Sequence, residues 1–136
     1  MEKGYMELIK EFIETCPQLK GGKVNVDYIK DDIESYSIDE TPSTTILQTF
    51  ADGGTRRQVS FDFSIQASFS VLENIKNSKF CDDFMKWIEE QDDKGNLPKI
   101  EGVEKIKCNR GTILQTTERT AIYVIPMQII YIKEAN

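Results

Sequence analysis

The sequence predicts an α+β domain in which helices pack on a mostly antiparallel β-sheet. One observation is a strict alternation of polar and apolar residues from Gln58 to Phe69, which is typical of a strand. The other is the helical spacing of apolar residues before and after that segment. The predicted order is α-β-β-α-β-β-β, with two or three helices on the sheet and one long β-hairpin.

The bulk composition suits a single domain over residues 1–136. A chain of 136 residues with 39% hydrophobic and 10% aromatic residues is long and apolar enough to bury a core without disulfide bonds or a structural metal. No linker, low-complexity tract or internal repeat is evident. The N-terminal segment MEKGYMELIKEF carries charges throughout and is not a signal peptide, and no apolar run approaches the ~20 residues of a membrane helix. We therefore expect a soluble cytosolic chain.

The charge balance argues against a protein that binds duplex DNA. The chain has 23 acidic and 17 basic residues, for a net charge of -6, whereas DNA binding requires clustered cations. Arg56-Arg57 is the one adjacent basic pair. An acidic surface would instead repel DNA passing close to it.

The inventory of reactive residues predicts no enzyme and no cofactor. The chain has no histidine, which removes the commonest general base and zinc ligand. Its three cysteines, Cys16, Cys81 and Cys108, are widely spaced and predict inert buried thiols in a reducing compartment. The run Ser43-Thr44-Thr45 has no nearby base, so a nucleophile is not expected there.

The first third of the chain predicts a helix followed by extended segments. Tyr5, Leu8, Ile9, Phe12 and Ile13 recur at helical spacing, so they form the buried stripe of an amphipathic helix. We expect Cys16-Pro17 to end this helix, because the residue before proline avoids the helical region. Residues 24–29 are a short strand or extended arm, and residues 32–42 are an acidic extended segment closed by Pro42.

The middle of the chain predicts the hairpin. Residues 44–50 are strand-like, and Asp52-Gly53-Gly54 supplies the positive φ that a tight turn requires. The alternating strand follows, with Val59, Phe61, Phe63, Ile65, Ala67 and Phe69 on one face and Arg56, Gln58, Ser60, Asp62, Ser64, Gln66 and Ser68 on the other. It would span ~45 Å at ~3.4 Å per residue, so we expect it to bend at a bulge or to project beyond the domain.

The remaining residues predict helix and then strands. Val71, Leu72 and Ile75 begin a helical pattern that Phe80, Phe84, Trp87 and Ile88 continue, and we expect Asn77-Ser78 to split it, with Ser78 as an N-cap. Gly95 ends the helix and Pro98 prevents its resumption. Strands are expected at 103–108, 112–116 and 120–133, with a turn at Asn109-Arg110-Gly111.

The last strand contains a contradiction. Both faces are apolar, with Ala121, Tyr123, Ile125, Met127, Ile129 and Tyr131 on one and Ile122, Val124, Ile130 and Ile132 on the other. Pro126 in its middle has no N–H and belongs on an edge or at a bulge. One resolution is that a second subunit covers the other face or an edge of this strand. The hypothesis of self-association through the sheet is tested by sedimentation at micromolar concentration.

Two segments raise a choice between a binding site and a structural role. The loop from Asp52 to Arg57 resembles a small anion cradle, but it lacks phosphate-loop spacing and precedes a strand, so we favour a hairpin turn with exposed arginines. The acids Asp83, Glu90 and Asp93 do not have metal-loop spacing and predict a solvated helix face. Trp87 is expected in the core, with an interface anchor as the alternative.

Several short motifs, in order, resemble a known family. These are YSIDETPSTTILQTFADGGTRRQVSFDF, NIKNSKFCDDFMKWIEEQ, GNLPKI and RTAIYVIPMQIIYI, which together span about residues 32–134. The chain thereby resembles the phage minor capsid and tail terminator (tail completion, tail-to-head joining) proteins of tailed phages that infect Gram-positive bacteria. Asp52-Gly53-Gly54 with Arg56, Arg57 and Gln58 matches the family's hairpin, and the apolar Ile122 to Pro126 stretch departs from the usual alternation.

The resemblance implies a structural protein of the virion, assembled in the bacterial cytoplasm. Its subunits would form a homohexameric ring that caps the tail tube and joins it to the neck of the head. Its partners would be the tube protein, a neck or head-completion protein and, in a contractile tail, the sheath protein, while DNA passes through the lumen without specific binding. The alternatives are a head-side connector or minor capsid protein, or a monomeric anion- or nucleotide-binding domain that uses Asp52–Gly54 and Arg57.

Residues from the hairpin and the last strand are the expected subunit interface. They are Asp52, Gly53, Gly54, Arg56, Arg57, Gln58, Tyr123, Pro126 and Tyr131.

Overall fold

The computed structural model describes residues 4–19, 23–26, 35–68, 71–116 and 120–135. Within them the elements are α1 (Tyr5–Ile13), a short 3-10 helix (Pro17–Leu19), β1 (Val24–Val26), β2 (Ser35–Thr49), β3 (Thr55–Ser68), α2 (Val71–Lys94), β4 (Val103–Cys108), β5 (Thr112–Thr116) and β6 (Thr120–Lys133). The predicted α+β class, with helices on a mostly antiparallel sheet, is confirmed. The expectations for residues 27–29, 32–34 and 69 lie outside the described residues.

One sheet contains all six strands. The order is β1-β2-β3-β6-β4, and β5 also pairs with β6, on the side that β4 occupies. The β1–β2 pair is parallel and every other pair is antiparallel. β3 and β6 are therefore the central strands. β1 and the β4–β5 segment are the outermost ones, and β1 covers β2 only at Tyr36–Ile38, so the rest of β2 also lies at the edge.

The core lies between this sheet and the two helices. The alternating apolar residues of β3 and β6 meet Ile9 and Ile13 of α1 and Phe84, Trp87 and Ile88 of α2 in one buried cluster. Aromatic contacts extend through it: the Phe63 and Phe84 rings stack with centroids 4.6 Å apart, and the Phe12 and Trp87 rings are tilted with centroids 5.2 Å apart. Trp87 is thus a core residue of the single chain, as predicted.

The long strand β3 does not project beyond the domain, contrary to expectation. β6 pairs with it without a register shift, from Thr55 opposite Lys133 to Ser68 opposite Thr120. The expected bulges lie in the neighbouring strand: β2 has extra residues between Glu40 and Thr44 and between Ile46 and Gln48. The extra length is thus absorbed by a central partner of equal length and by bulges at the edge.

Pro42 does not end the extended segment, and this expectation was wrong. β2 continues through it from Ser35 to Thr49. The proline lies in the bulged stretch between Glu40 and Thr44 of an outer strand. A missing N–H is tolerated at such a position because no ladder bond depends on it.

The second helix is continuous, so the predicted break at Asn77-Ser78 is wrong. α2 runs from Val71 to Lys94, and Gly95 follows it with φ of 74°, as expected for a C-terminal glycine. Asn77 Nδ2 donates to the Tyr123 hydroxyl at 3.4 Å, and the Phe80 ring stacks on Tyr36. These contacts to the sheet lie on both sides of Ser78, and such packing outweighs a local capping preference.

Pro126 lies in the central strand β6, opposite the gap between two strands. These strands, β4 and β5, follow one another along the same side of β6. Cys108 of β4 is opposite Met127, Thr112 of β5 is opposite Val124, and the connection between them does not reverse the chain. The Pro126 carbonyl accepts a hydrogen bond from Asn109 N at 2.8 Å. Since N–H and C=O of one strand residue point to the same side, the missing N–H faces this interruption of the ladder. Pro126 therefore does not require a second subunit.

Candidate functional site

The hairpin turn is held by its own short-range hydrogen bonds. Gly53 has φ of 91° and its N–H donates to the Phe50 carbonyl at 3.0 Å. The Gly54 N–H donates to Asp52 Oδ1 at 2.9 Å, and Phe50 N donates to the Gly54 carbonyl at 2.8 Å. The predicted turn at Asp52-Gly53-Gly54 is confirmed, and its backbone donors already have partners.

Arg56 is bound within the chain. Its Nε donates to Glu104 Oε1 of β4 at 2.7 Å, its Nη1 donates to Gln48 Oε1 of β2, and its guanidinium lies 5.5 Å from the centre of the Phe50 ring. The carboxylate of Glu104 raises the pKa of Arg56. Arg56 thus links β2, β3 and β4 across the face of the sheet opposite the helices.

Arg57 lies on the helix-facing side, at the end of the core. Its Nε donates to Thr55 Oγ1 at 2.9 Å, and it is opposite Tyr131 in the β3–β6 ladder. The Tyr131 ring is 5.4 Å from that of Tyr5. Burial, together with a hydrogen bond to Tyr5, raises the pKa of the Tyr131 phenol.

These contacts disfavour an anion site at the hairpin. An anion cradle requires several unpaired N–H groups that converge on one point. Here the N–H groups of Gly53 and Gly54 are used inside the turn, and Arg56 and Arg57 point to opposite faces of the sheet, each with a partner. The structural role of this turn is the better interpretation.

The nine expected interface residues do not form one surface. Tyr123 and Tyr131 face the helices and are 6% and 3% exposed, so they belong to the core of the single chain. Pro126 and Gln58 lie half-buried on the opposite face, and Asp52 is exposed at the hairpin tip. Their assignment to a subunit interface stays a prediction, and the hairpin residues have the greater accessible surface.

Two segments at the sheet edges have no strand partner among the described residues. β1 pairs with β2 at Tyr36–Ile38, and no described strand pairs with the outer edge of residues 44–49. On the other side, β5 pairs with β6 by one edge, and its outer edge is open at residues 112–116. Open edges expose backbone donors and acceptors that can pair with another chain.

The neighbouring β4 edge is covered, in contrast. Asp92 of α2 accepts from Ile106 N at 3.1 Å and from Lys105 Nζ at 2.7 Å. A helix carboxylate thus occupies the place of a strand partner at the middle of β4. β1 is also a terminal strand, but it has three residues and its Val24 N donates to Glu14 Oε2 at 2.9 Å. The described structure therefore leaves the end of β2 and β5 as the longer segments available for pairing.

Exposed apolar side chains coincide with these open edges. Among the described residues the exposed large hydrophobic side chains are Tyr5, Ile46, Leu47 and Ile113. Ile46 and Leu47 of β2 are 53% and 45% exposed, and Ile113 of β5 is 50% exposed. Sequence analysis missed these residues, because apolar residues in a strand are expected inside unless the strand order shows them at an edge.

The acidic residues of α2 do not form a metal site in the described part of the chain. No group of three or more His, Cys, Asp or Glu side chains there is placed to hold a metal ion. Glu90 and Asp93 are exposed, and Asp83 pairs with Lys79 at 2.6 Å. These acids lie on the solvated side of the helix.

The thiols are shielded from reaction by burial. Cys16 and Cys81 are buried, and Cys108 is half-buried. Desolvation raises the pKa of each to about 11, with Asp82 adding to the effect at Cys81 and Glu89 at Cys108. The thiolate is the reactive form, so the thiols are poor nucleophiles at neutral pH.

We expect the native thiols to react with iodoacetamide at pH 8 about a hundredfold more slowly than in denaturant, since a rise of the pKa from 9.0 to about 11 lowers the thiolate fraction by that factor. Folding favours the protonated thiol. This contribution to stability is therefore complete below pH 9 and is lost as the pH rises through about 11. Mass spectrometry of the alkylated chain measures the rates. Equal rates in native buffer and denaturant would contradict the shielding.

Comparison with models of known protein families finds no match, and comparison with curated protein sequences finds none either. Among the described residues, no helix combines the length and apolar character needed to cross a bilayer.

Proposed function

We propose that the chain is a non-enzymatic structural subunit of a tailed-phage or phage-tail-like particle. In this proposal it is the tail terminator, which forms a ring on the end of the tail tube and joins the tube to the head. The phage assignment rests on the resemblance of the hairpin, helix and last-strand motifs. The assembly role rests on the geometry of the sheet.

One observation carries the assembly role: exposed aliphatic side chains lie on both open edges of the sheet. Ile46, Leu47 and Ile113 are about half exposed beside strand edges that have no partner among the described residues. Covering elements commonly protect such edges in soluble monomers, as Asp92 does at β4. A second protein surface on β2 and β5 would remove both the exposed apolar area and the unpaired backbone groups from water.

Because the two open edges differ, they support head-to-tail contact between successive copies of the chain. When one patch binds a different patch on the next copy, the assembly closes into a ring if the rotation allows it. A ring suits a terminator, because it matches the end of a hollow tube. The net charge of -6 suits a channel through which DNA passes without binding.

The proposed partners are the tail tube protein, a neck or head-completion protein and, in a contractile tail, the sheath protein. The test is a polymerisation assay in which the purified chain is added to elongating tail tubes from the same particle. We expect tubes to stop growing and electron microscopy to show a ring at one end. A chain that leaves tube length unchanged and binds tubes at neither end would contradict the terminator role.

The same assay separates the head-side alternative. A connector or minor capsid protein would bind purified heads and leave tube growth unaffected. An anion-binding domain would show a thermal shift with phosphate or nucleotide that Arg57→Ala abolishes. We expect no such shift, because the turn donors and Arg57 already have partners.

A further inference from the structure

The two open edges carry the same five residues. Thr-Ile-Leu-Gln-Thr occupies positions 45–49 at the end of β2 and positions 112–116, which are the whole of β5. The expectation that the chain has no internal repeat is thus corrected at this short length. The two copies of this pentapeptide, here called the TILQT segments, are far apart in sequence but lie on opposite edges of one sheet.

Both TILQT segments also share an irregularity of backbone. In β2, Ile46 is opposite Arg57 and Gln48 is opposite Arg56, so Leu47 is the extra residue of a bulge. In β5, Ile113 is opposite Tyr123 and Gln115 is opposite Ile122, so Leu114 is the extra residue. The two segments therefore agree in sequence, in bulge position and in the exposure of the isoleucine.

Their directions permit antiparallel pairing between copies. β2 is antiparallel to β3, β3 to β6 and β6 to β5, so β2 and β5 run in opposite directions at opposite edges. A second copy placed beside the first, with its sheet continuing the first sheet, brings the β2 edge of one against the β5 edge of the other. Ile46 and Ile113 then lie on the same helix-facing side, since their partners Arg57 and Tyr123 do.

We propose that the two TILQT segments are the two halves of a head-to-tail contact between copies of this chain, in which the β2 edge of one copy pairs antiparallel with the β5 edge of the next. The inference rests on the proposed function and names the residues through which the ring closes. The register that keeps the helix-facing side of both sheets in common places Ile46 opposite Thr116 and Thr49 opposite Ile113. Residues directly opposite each other in an antiparallel ladder share a face, so these β-branched side chains cover one another.

The charges next to the segments are complementary in this alignment. Arg110, two residues before β5, is exposed and has no ion-pair partner within the described part of the chain. It comes opposite Asp52 of the other copy, whose carboxylate is exposed. The TILQT segments themselves are uncharged, so nothing in them opposes the approach.

The test uses the full chain and two single substitutions, Ile46→Lys and Ile113→Lys, with analytical ultracentrifugation at micromolar concentration. Both side chains are about half exposed, so a lysine is tolerated in the folded subunit, and thermal melting verifies the fold. We expect closed oligomers from the unchanged chain and monomers of 15.6 kDa from each variant. Tyr5→Lys is the matched control, because Tyr5 is exposed and apolar but lies on α1, away from both edges; we expect it to assemble.

An equal mixture of the two variants decides the geometry. Each variant keeps one intact edge, so a head-to-tail contact forms once between unlike variants and gives a dimer and nothing larger. Pairing of like edges would instead let either variant dimerise alone, and this result would overturn the inference. Variants that assemble like the unchanged chain would also overturn it while leaving the proposed function intact. An unchanged chain that stays monomeric would overturn the edge contact, and the tube assay then decides the function separately.

A disulfide reports the register. Ile46→Cys combined with Thr116→Cys places two exposed thiols on the same face, opposite each other at the separation of paired strand residues, which a disulfide spans. We expect oxidation to give a covalent ladder of subunits in denaturing gels, whereas Ile46→Cys alone gives none. A ladder from the single variant would mean that like edges meet, contrary to the inference.

Discussion

Replacement of Gly102 by alanine is expected to lower the free energy of unfolding by at least about 3 kcal/mol. Gly102 has φ of 78°, a left-handed conformation that costs other residues about 1–2 kcal/mol. Its carbonyl accepts from Ile132 N at 2.9 Å, and a Cβ there would lie 2.1 Å from the Ile132 carbonyl oxygen. Both groups belong to the backbone, so relief of the overlap requires that the start of β4 separate from β6.

Gly95→Ala is the matched control for this prediction. Gly95 has φ of 74°, but a Cβ there would meet no heavy atom within 4 Å. This variant isolates the conformational cost, and we expect it to lose about 1–2 kcal/mol. Urea unfolding followed by circular dichroism measures both. Equal losses for the two variants would show that the close approach of Gly102 to β6 contributes nothing.

Replacement of Phe63 by alanine is expected to cost about 3–5 kcal/mol. The ring is fully buried at the centre of β3, stacked on Phe84 of α2 at 4.6 Å and on Tyr36 of β2 at 6.0 Å. Its removal leaves a cavity between the sheet and α2 that neither a continuous ladder nor a 24-residue helix can collapse to fill. The same unfolding measurement applies.

Two variants of the same strand control this effect. Phe63→Leu keeps much of the volume and should lose clearly less than Phe63→Ala. Gln58→Ala, on the opposite face, should change stability by no more than about 0.5 kcal/mol, as surface substitutions usually do. A loss below about 1 kcal/mol for Phe63→Ala would mean that the core does not depend on this stack.

The elements predicted well were those set by local chemistry. The two-residue period of β3 places Phe61 and Phe63 in the core, and the helical spacing in α1 buries Ile9 and Ile13. Such periods are visible in sequence because one face of each element must leave water. Tyr5 is the exception, since it lies at the helix end and is exposed despite its place in the stripe.

The incorrect expectations concerned residues whose backbone conformation depends on contacts with residues far away in sequence. Ser78 has the local character of an N-cap, but contacts of Asn77 and Phe80 with the sheet keep α2 intact. Pro42 and Pro126 are both potential strand breakers. One is accommodated by a bulge at an edge and the other by the gap between β4 and β5.

The surface proposed for assembly differs in position from the interface predicted from the sequence, which itself stays a prediction. That interface lay on the hairpin and the last strand, whereas the structure buries Tyr123 and Tyr131 and exposes Ile46, Leu47 and Ile113 at the sheet edges. The repeated pentapeptide occurs in the sequence at residues 45–49 and 112–116. Its significance required the strand order, because five identical residues are unremarkable until both copies lie on open edges.

The sequence by itself determined the kind and order of the helices and strands, the glycine turn of the hairpin, and the inward face of α1 and β3. It could do so because hydrophobic period and glycine conformation act over a few residues. The tertiary structure alone decided which strands are central, which edges stay unpaired and where two identical segments lie relative to each other. Those outcomes depend on ladder bonds between residues far apart in the chain, and no local pattern records them.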